Sequence, residues 1–222
     1  MQKRKIIFGS YDTAVYGWTL VSWSLTAAQE KTNFVNIPGG DGSLDLSTAL
    51  TGGIPVYNDR TLTAILECSE GNRLSRDALI SEMINKLGGM RVDIELPDDP
   101  LRRINGRLLV AKNYSDLAHC SVTVTATCKP WKESNTETKV TLTASTTKKT
   151  TTIVNNGRRA SVPTLTVTGS SANVVLVYGS ASKAFSAGTY KWPDLLLTPG
   201  EHEITYSGAG TLVITYREAV LE

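Results

Sequence analysis

The sequence predicts an α+β N-terminal domain, a β-sandwich with one helix, followed by an all-β sandwich. Three observations carry this. Only one segment has a convincing helical period, with Leu79, Ile80, Met83, Ile84 and Leu87 repeating along one face. Composition shifts near Trp131: Lys and Arg balance Asp and Glu up to that point, whereas Thr and Ser supply 26 of the 91 residues from Lys132 onward. Beyond the shift, turn signals recur about every 8–12 residues, the spacing of an antiparallel sandwich. The polar, Pro-containing join Lys129–Ser134 places the boundary between domains 1–131 and 132–222.

In the first domain, Lys5–Phe8, Trp18–Leu25, Thr32–Ile37 and Arg60–Glu67 read as strands, the second by alternation and the others as short apolar or β-branched runs. Pro38-Gly-Gly-Asp-Gly-Ser43 is a loop able to hold several positive-φ residues. Ser75 is the expected N-cap of the helix, Asp77 favours its first turn, and Gly88-Gly89 ends it. Met90–Leu96, Gly106–Lys112 and Cys120–Cys128 follow as strands, with Pro97–Pro100 as a turn. In the second domain, strands are expected at Thr138–Thr143, Thr150–Val154, Pro163–Thr168, Asn173–Tyr178, Ala184–Ala187, Leu195–Leu197, Glu201–Ser207 and Thr211–Arg217. Asn155–Gly157, Gly169–Ser171, Thr198–Gly200 and Gly208–Gly210 are the intervening turns.

Composition excludes several classes of function. The chain has 222 residues, 41% hydrophobic and 20% charged, which is a globular composition long enough to bury a core without disulfides or metals. The net charge of +2 (23 minus 21) is too balanced for binding nucleic acid by phosphate neutralisation. No apolar run approaches a membrane span. Met1–Lys5 is basic, but Gly9, Ser10 and Asp12 break the segment that follows, so no secretory leader is expected. Cys68, Cys120 and Cys128 lack metal-site spacing and read as small buried hydrophobes of a chain made in a reducing cytosol.

Convergent catalytic groups are equally scarce. His119 and His202 lie in or beside strand patterns, and no nucleophile elbow, zinc-protease motif, phosphate loop or dinucleotide fingerprint is present. Asp98-Asp99 and the pair Asp41 and Asp45 read as solvated turns, and Lys148-Lys149 and Arg158-Arg159 as solvated loops. No catalytic, metal or cofactor residue is assigned, and an enzyme such as a wall hydrolase lacks its carboxylate pair or ligand set. Tyr190 and Trp192 lie together in a loop-like stretch and form a candidate glycan-stacking platform, the alternative being that they close the sandwich edge.

Several longer motifs point further. Lys31–Gly52 contains Phe34-Val-Asn-Ile-Pro-Gly-Gly-Asp-Gly-Ser-Leu-Asp-Leu-Ser-Thr-Ala-Leu-Thr-Gly52, followed soon by Tyr57-Asn-Asp-Arg60. Tyr11-Asp12 and Gly17-Trp18 precede it. Leu87-Gly88-Gly89 leads through Met90–Leu96 to Asp98-Asp99-Pro100, Gly106-Arg107 opens a strand, and Leu197-Thr-Pro-Gly-Glu-His202 begins a closing run to Tyr216-Arg217. In this order and over nearly the whole chain, the set resembles the distal tail proteins of long-tailed bacteriophages (siphophages); the Thr-rich stretch Thr138–Thr152 has no counterpart among these motifs.

The resemblance implies a structural virion protein without enzymatic activity, made in the host bacterial cytoplasm and placed at the tail tip of a phage or prophage. It implies a hexameric ring formed by the N-terminal domain and a galectin-like C-terminal sandwich. The implied partners are the tail tube, a tail-associated lysin and a receptor-binding protein, with no nucleic acid and no membrane insertion. A closed ring needs two different complementary patches per subunit. The segment Thr32–Val56 carries too many apolar residues for a free loop, namely Phe34, Val35, Ile37, Leu44, Leu46 and Leu50, and so is a candidate belt across a neighbouring subunit. The alternatives are that the belt packs on its own domain, and that the protein is a glycan-binding module acting through its C-terminal sandwich.

Overall fold

The computed structural model describes residues 4–69, 71–116 and 118–222. Of the basic start Met1–Lys5, residues 1–3 lie outside the described residues. The elements in chain order are β1 Ile7–Phe8, β2 Tyr11–Asp12, β3 Thr19–Leu25, β4 Phe34–Asn36, β5 Ser43–Asp45, β6 Arg60–Cys68, α1 Arg73–Leu87, β7 Arg91–Leu96, β8 Asp99–Ser115, β9 Cys120–Ser134, β10 Thr138–Ala144, β11 Lys149–Asn155, β12 Thr164–Tyr178, β13 Ala181–Ser186, β14 Gly188–Lys191, β15 Gly200–Tyr216 and β16 Ala219–Val220. The fold is mostly β with one helix. The chain divides into two compact units, one ending at Lys132 and one running Glu133–Glu222. The division falls inside β9, so the Pro-containing join read from the sequence as an interdomain stretch is strand.

The first unit is built on one curled sheet rather than two stacked ones, in the order β2-β1-β7-β8-β9-β6-β3. Its two edges approach each other: Leu20 N donates to Arg4 O (3.0 Å) and Trp18 N to Thr13 O (2.9 Å). The inward faces of β6 and β9 match rung by rung, Leu62 opposite Ala126, Ala64 opposite Val124 and Leu66 opposite Val122, and all six side chains are buried. This is the period-two pattern of a half-buried sheet. Gly106 sits at the centre of β8 because a Cβ there would lie 2.7 Å from the Cys128 sulfur. Trp18 and Thr13 are also fully buried, Thr13 bonding both the amide (3.1 Å) and the carbonyl (3.0 Å) of Ile6, so the Tyr11–Trp18 motif is part of the core.

Helix α1 lies on this core through Ile80, Met83 and Leu87. Its N-cap is Asn72, whose side chain accepts from Ser75 N (2.9 Å); Ser75, the cap read from the sequence, stands in the first turn instead. The apolar face is narrower than its periodicity suggested, since Ile84 is exposed and Leu79 half-buried. The fourth buried position is Arg76, whose guanidinium donates to Gly71 O (2.6 Å) and Asp116 O (3.0 Å). These bonds tie the helix start to the turn before β9. Gly89, at φ +75, terminates the helix as its spacing indicated.

The second unit is a six-stranded antiparallel sheet folded on itself. Two long strands, β12 and β15, run through both halves. The latter part of β15 lies between β10 and the start of β12, which pairs with β14. The earlier part of β15 lies between β11 and the end of β12, which pairs with β13. The bends fall at Gly169 (φ +133) and Ser171 (φ +62) in β12, and at Gly208 (φ +114) and Gly210 (φ +116) in β15. Both halves face one core containing Leu165, Val174, Phe185, Ile204, Leu212 and Ile214. The glycine clusters read as turns between separate strands are therefore corners within continuous ones. Leu195–Leu197 is not a strand, although Leu197 bridges to Ser161, and β14 falls where the sequence pattern marks none. Asn155 anchors the base of this unit, its amide donating to Arg159 O and Leu197 O (both 2.9 Å) while its carbonyl accepts from Gly157 N (3.0 Å).

Candidate interaction arm

Between β3 and β6 the chain leaves the curled sheet and returns to it. The base is clamped at Thr26 by three bonds: Thr26 N to Thr61 O (3.0 Å), Thr61 N to Thr26 Oγ1 (2.9 Å), and the Nε of the buried Arg60 to Thr26 O (2.6 Å). The stalk continues through Asn58 N to Gln29 O (2.8 Å), a bridge between Glu30 and Tyr57, and Lys31 N to Val56 O (2.7 Å). Tyr57 sets its ring edge-on to Trp131, with centroids 5.4 Å apart. The Tyr57–Arg60 motif is thus the anchor of an arm, with Arg60 holding the departing strand by a charge-assisted bond.

At the far end, β4 and β5 form a two-stranded hairpin that pairs with neither large sheet. Phe34 is opposite Asp45, Val35 opposite Leu44 and Asn36 opposite Ser43. Polar bonds close the open end of the hairpin: Asn33 N donates to Ser47 Oγ (2.8 Å), Leu46 N to Asn33 O (2.8 Å) and Ser47 N to Asp45 Oδ1 (2.9 Å). The Ser47 hydroxyl and amide hold the Asp45 carboxyl below its ordinary range. A small lobe follows, closed by Thr51 Oγ1 bonded to Thr48 O (3.1 Å) and Ile54 O (2.6 Å).

No residue from 29 to 59 is buried. Phe34 is 60% exposed and Leu50 fully so; Val35, Ile37, Leu44, Leu46, Ile54 and Val56 are exposed as well. All six sequence-named belt residues therefore stand free of their own unit's core. Alternate residues of a strand point to opposite faces, so Phe34 and Val35 give the hairpin apolar side chains on both. A hairpin of this kind is marginal alone in water, and this many exposed apolar side chains in one short segment is unusual for a surface that meets only solvent. Burying one such side chain is worth about 1.5–3 kcal/mol.

The residues named for glycan stacking do not form a platform. Trp192 is 3% exposed, packs edge-on to Phe185 (5.8 Å) and donates its indole N–H to Asp194 Oδ2 (2.7 Å). Tyr190 is half-buried against the same phenylalanine (5.3 Å), its hydroxyl 3.0 Å from Ser186 Oγ. A large apolar ring in this chain's small core is worth more inside than out, and the Trp-Pro spacing carries no sign of which way it points. His202 is also structural: it is buried, its Nε2–H donates to Thr198 O (2.7 Å) and its Nδ1 lies 2.7 Å from the Tyr178 hydroxyl. Among the described residues no group of three or more His, Cys, Asp or Glu could hold a metal, and no helix is long and apolar enough to cross a membrane.

The fold is similar to that of a solved structure, the SPP1 Dit (gp 19.1) protein, described as a paradigm of the hub adsorption apparatus in phages infecting Gram-positive bacteria. The two superpose with a TM-score of 0.68 at 17% identity, over 96% of this chain and 98% of that one. No protein-family model and no curated protein matches the sequence.

Proposed function

We propose that this chain is a distal tail hub protein of a long-tailed bacteriophage or prophage, which works by assembling into a closed ring, six-membered as the family resemblance implies. The observation that carries the reading is the arm, eight exposed apolar side chains on a clamped stalk, in a chain whose fold matches a hub protein end to end. In the ring the arm reaches across the neighbouring subunit as a belt, giving the heterologous contact that closes a circle. The C-terminal unit, a galectin-like sandwich in this reading, faces other tail components: the tube, a tail-associated lysin and an adhesin. The protein acts by shape and needs no reaction centre. Glycan binding, the alternative suggested by the sequence, is left without Trp192, the residue that would have carried it. Light scattering on the full chain tests the proposal, with a single mass several times 24.0 kDa expected and a monomer under all conditions opposing it.

A further inference from the structure

A second patch on the first unit complements the arm. On the β7–β8 ladder Arg91 stands directly opposite Arg107. Like charges at opposed positions repel, and both side chains are exposed. Neither meets a carboxylate among the described residues: Arg91 donates to Asn105 Oδ1 (3.0 Å) and Arg107 to Gly89 O (2.9 Å), while the acid two residues along β7, Asp93, is taken by Arg103 (2.9 Å) and the Asn105 amide (2.8 Å). Two residues further along β8, on the side of the sheet that Arg107 faces, Leu109 is 66% exposed. The patch therefore pairs unneutralised guanidinium donors with an open apolar side chain.

The arm tip carries the opposite set. Asp41 sits in the hairpin turn between Gly40 and Gly42 (φ +76), exposed and with no hydrogen bond or ion pair among the described residues. Asp45 is occupied by Ser47. The apolar side chains of Val35 and Leu44 lie on the hairpin behind the turn. We propose that the arm of one copy seats on the Arg91–Arg107–Leu109 face of a second copy, with the Asp41 carboxylate between the two guanidinium groups and the hairpin's apolar side chains over Leu109. This rests on the ring-forming reading and names the surface that receives the belt. Guanidinium forks match a carboxylate bidentately, the added negative charge relieves the opposed arginines, and the two patches differ, as a heterologous contact demands.

Sedimentation of the full chain across a concentration series at low salt tests the pairing. Arg107→Glu or Asp41→Lys alone is expected to weaken association about tenfold, and the two substitutions combined in one chain to recover it to within about threefold. Both positions are exposed, so circular dichroism and a thermal melt on each variant should show an intact fold. Wild-type chains that stay monomeric up to about 1 mM overturn the ring-forming reading itself. Wild-type association that neither single reversal weakens, or that the combined reversal fails to recover, overturns this pairing while leaving the ring-forming reading in place.

Discussion

Trp192 decides more than its own position. Its indole fills the second unit's core beside Phe185, so Trp192→Ala should destabilise that unit by about 3–5 kcal/mol, read as a lower urea midpoint. An exposed sugar platform would leave the midpoint unchanged. Two other buried side chains set an alkaline limit. Burial pushes the Tyr11 phenol up to about 12 and the Cys128 thiol up to about 11. Each holds its proton more tightly folded than unfolded, so its contribution is intact at neutral pH and is lost as pH rises from about 9 towards 12. Urea midpoints should fall over that window, and Tyr11→Phe should flatten the part above pH 10. The sequence shows these residues as apolar or aromatic but not which rings turn inward, because that depends on strand register and on long-range packing.

At the level of elements, the strands of the second unit are legible from their alternation, but the corners are not. Gly-Ser-Ser and Gly-Ala-Gly look the same whether a chain reverses or a continuous strand bends, and only the strand pairing along β12 and β15 separates the two. Gly210→Ala tests the corner: its Cβ would lie 2.9 Å from both Thr168 O and the Ala172 Cβ, at a φ that L residues rarely adopt. A loss of about 1–3 kcal/mol in unfolding free energy is expected from backbone strain alone. The helix is legible in its apolar period and its glycine stop. Its true start is hidden because Asn72 and Ser75 are both good caps three residues apart. The arm's clamp is tested by Arg60→Met, which removes the bond to Thr26 O while keeping an apolar stem. Amide exchange at Thr26 and Thr61 should then accelerate several-fold while the β6–β9 core amides stay protected.

For the whole molecule, the sequence carries the architecture in outline: β-rich, one helix, a change of character near Trp131, and an apolar stretch in a loop context. What it does not carry is the arm's isolation. Phe34, Leu44 and Leu50 would look identical in a segment folded onto its own sheet, and only three-dimensional placement shows that nothing in the first unit covers them. A protein whose surface holds such a segment should depend on it for assembly and not for folding. Deleting Gly39–Leu46 should therefore leave the thermal melt of the chain within a few degrees of wild type, because no buried side chain is removed. The most direct test of assembly by shape is negative-stain electron microscopy of the full chain beside this deletion. Closed rings of one size for the intact chain and scattered single particles for the deletion are the predicted result; rings that form equally well without the arm would contradict it.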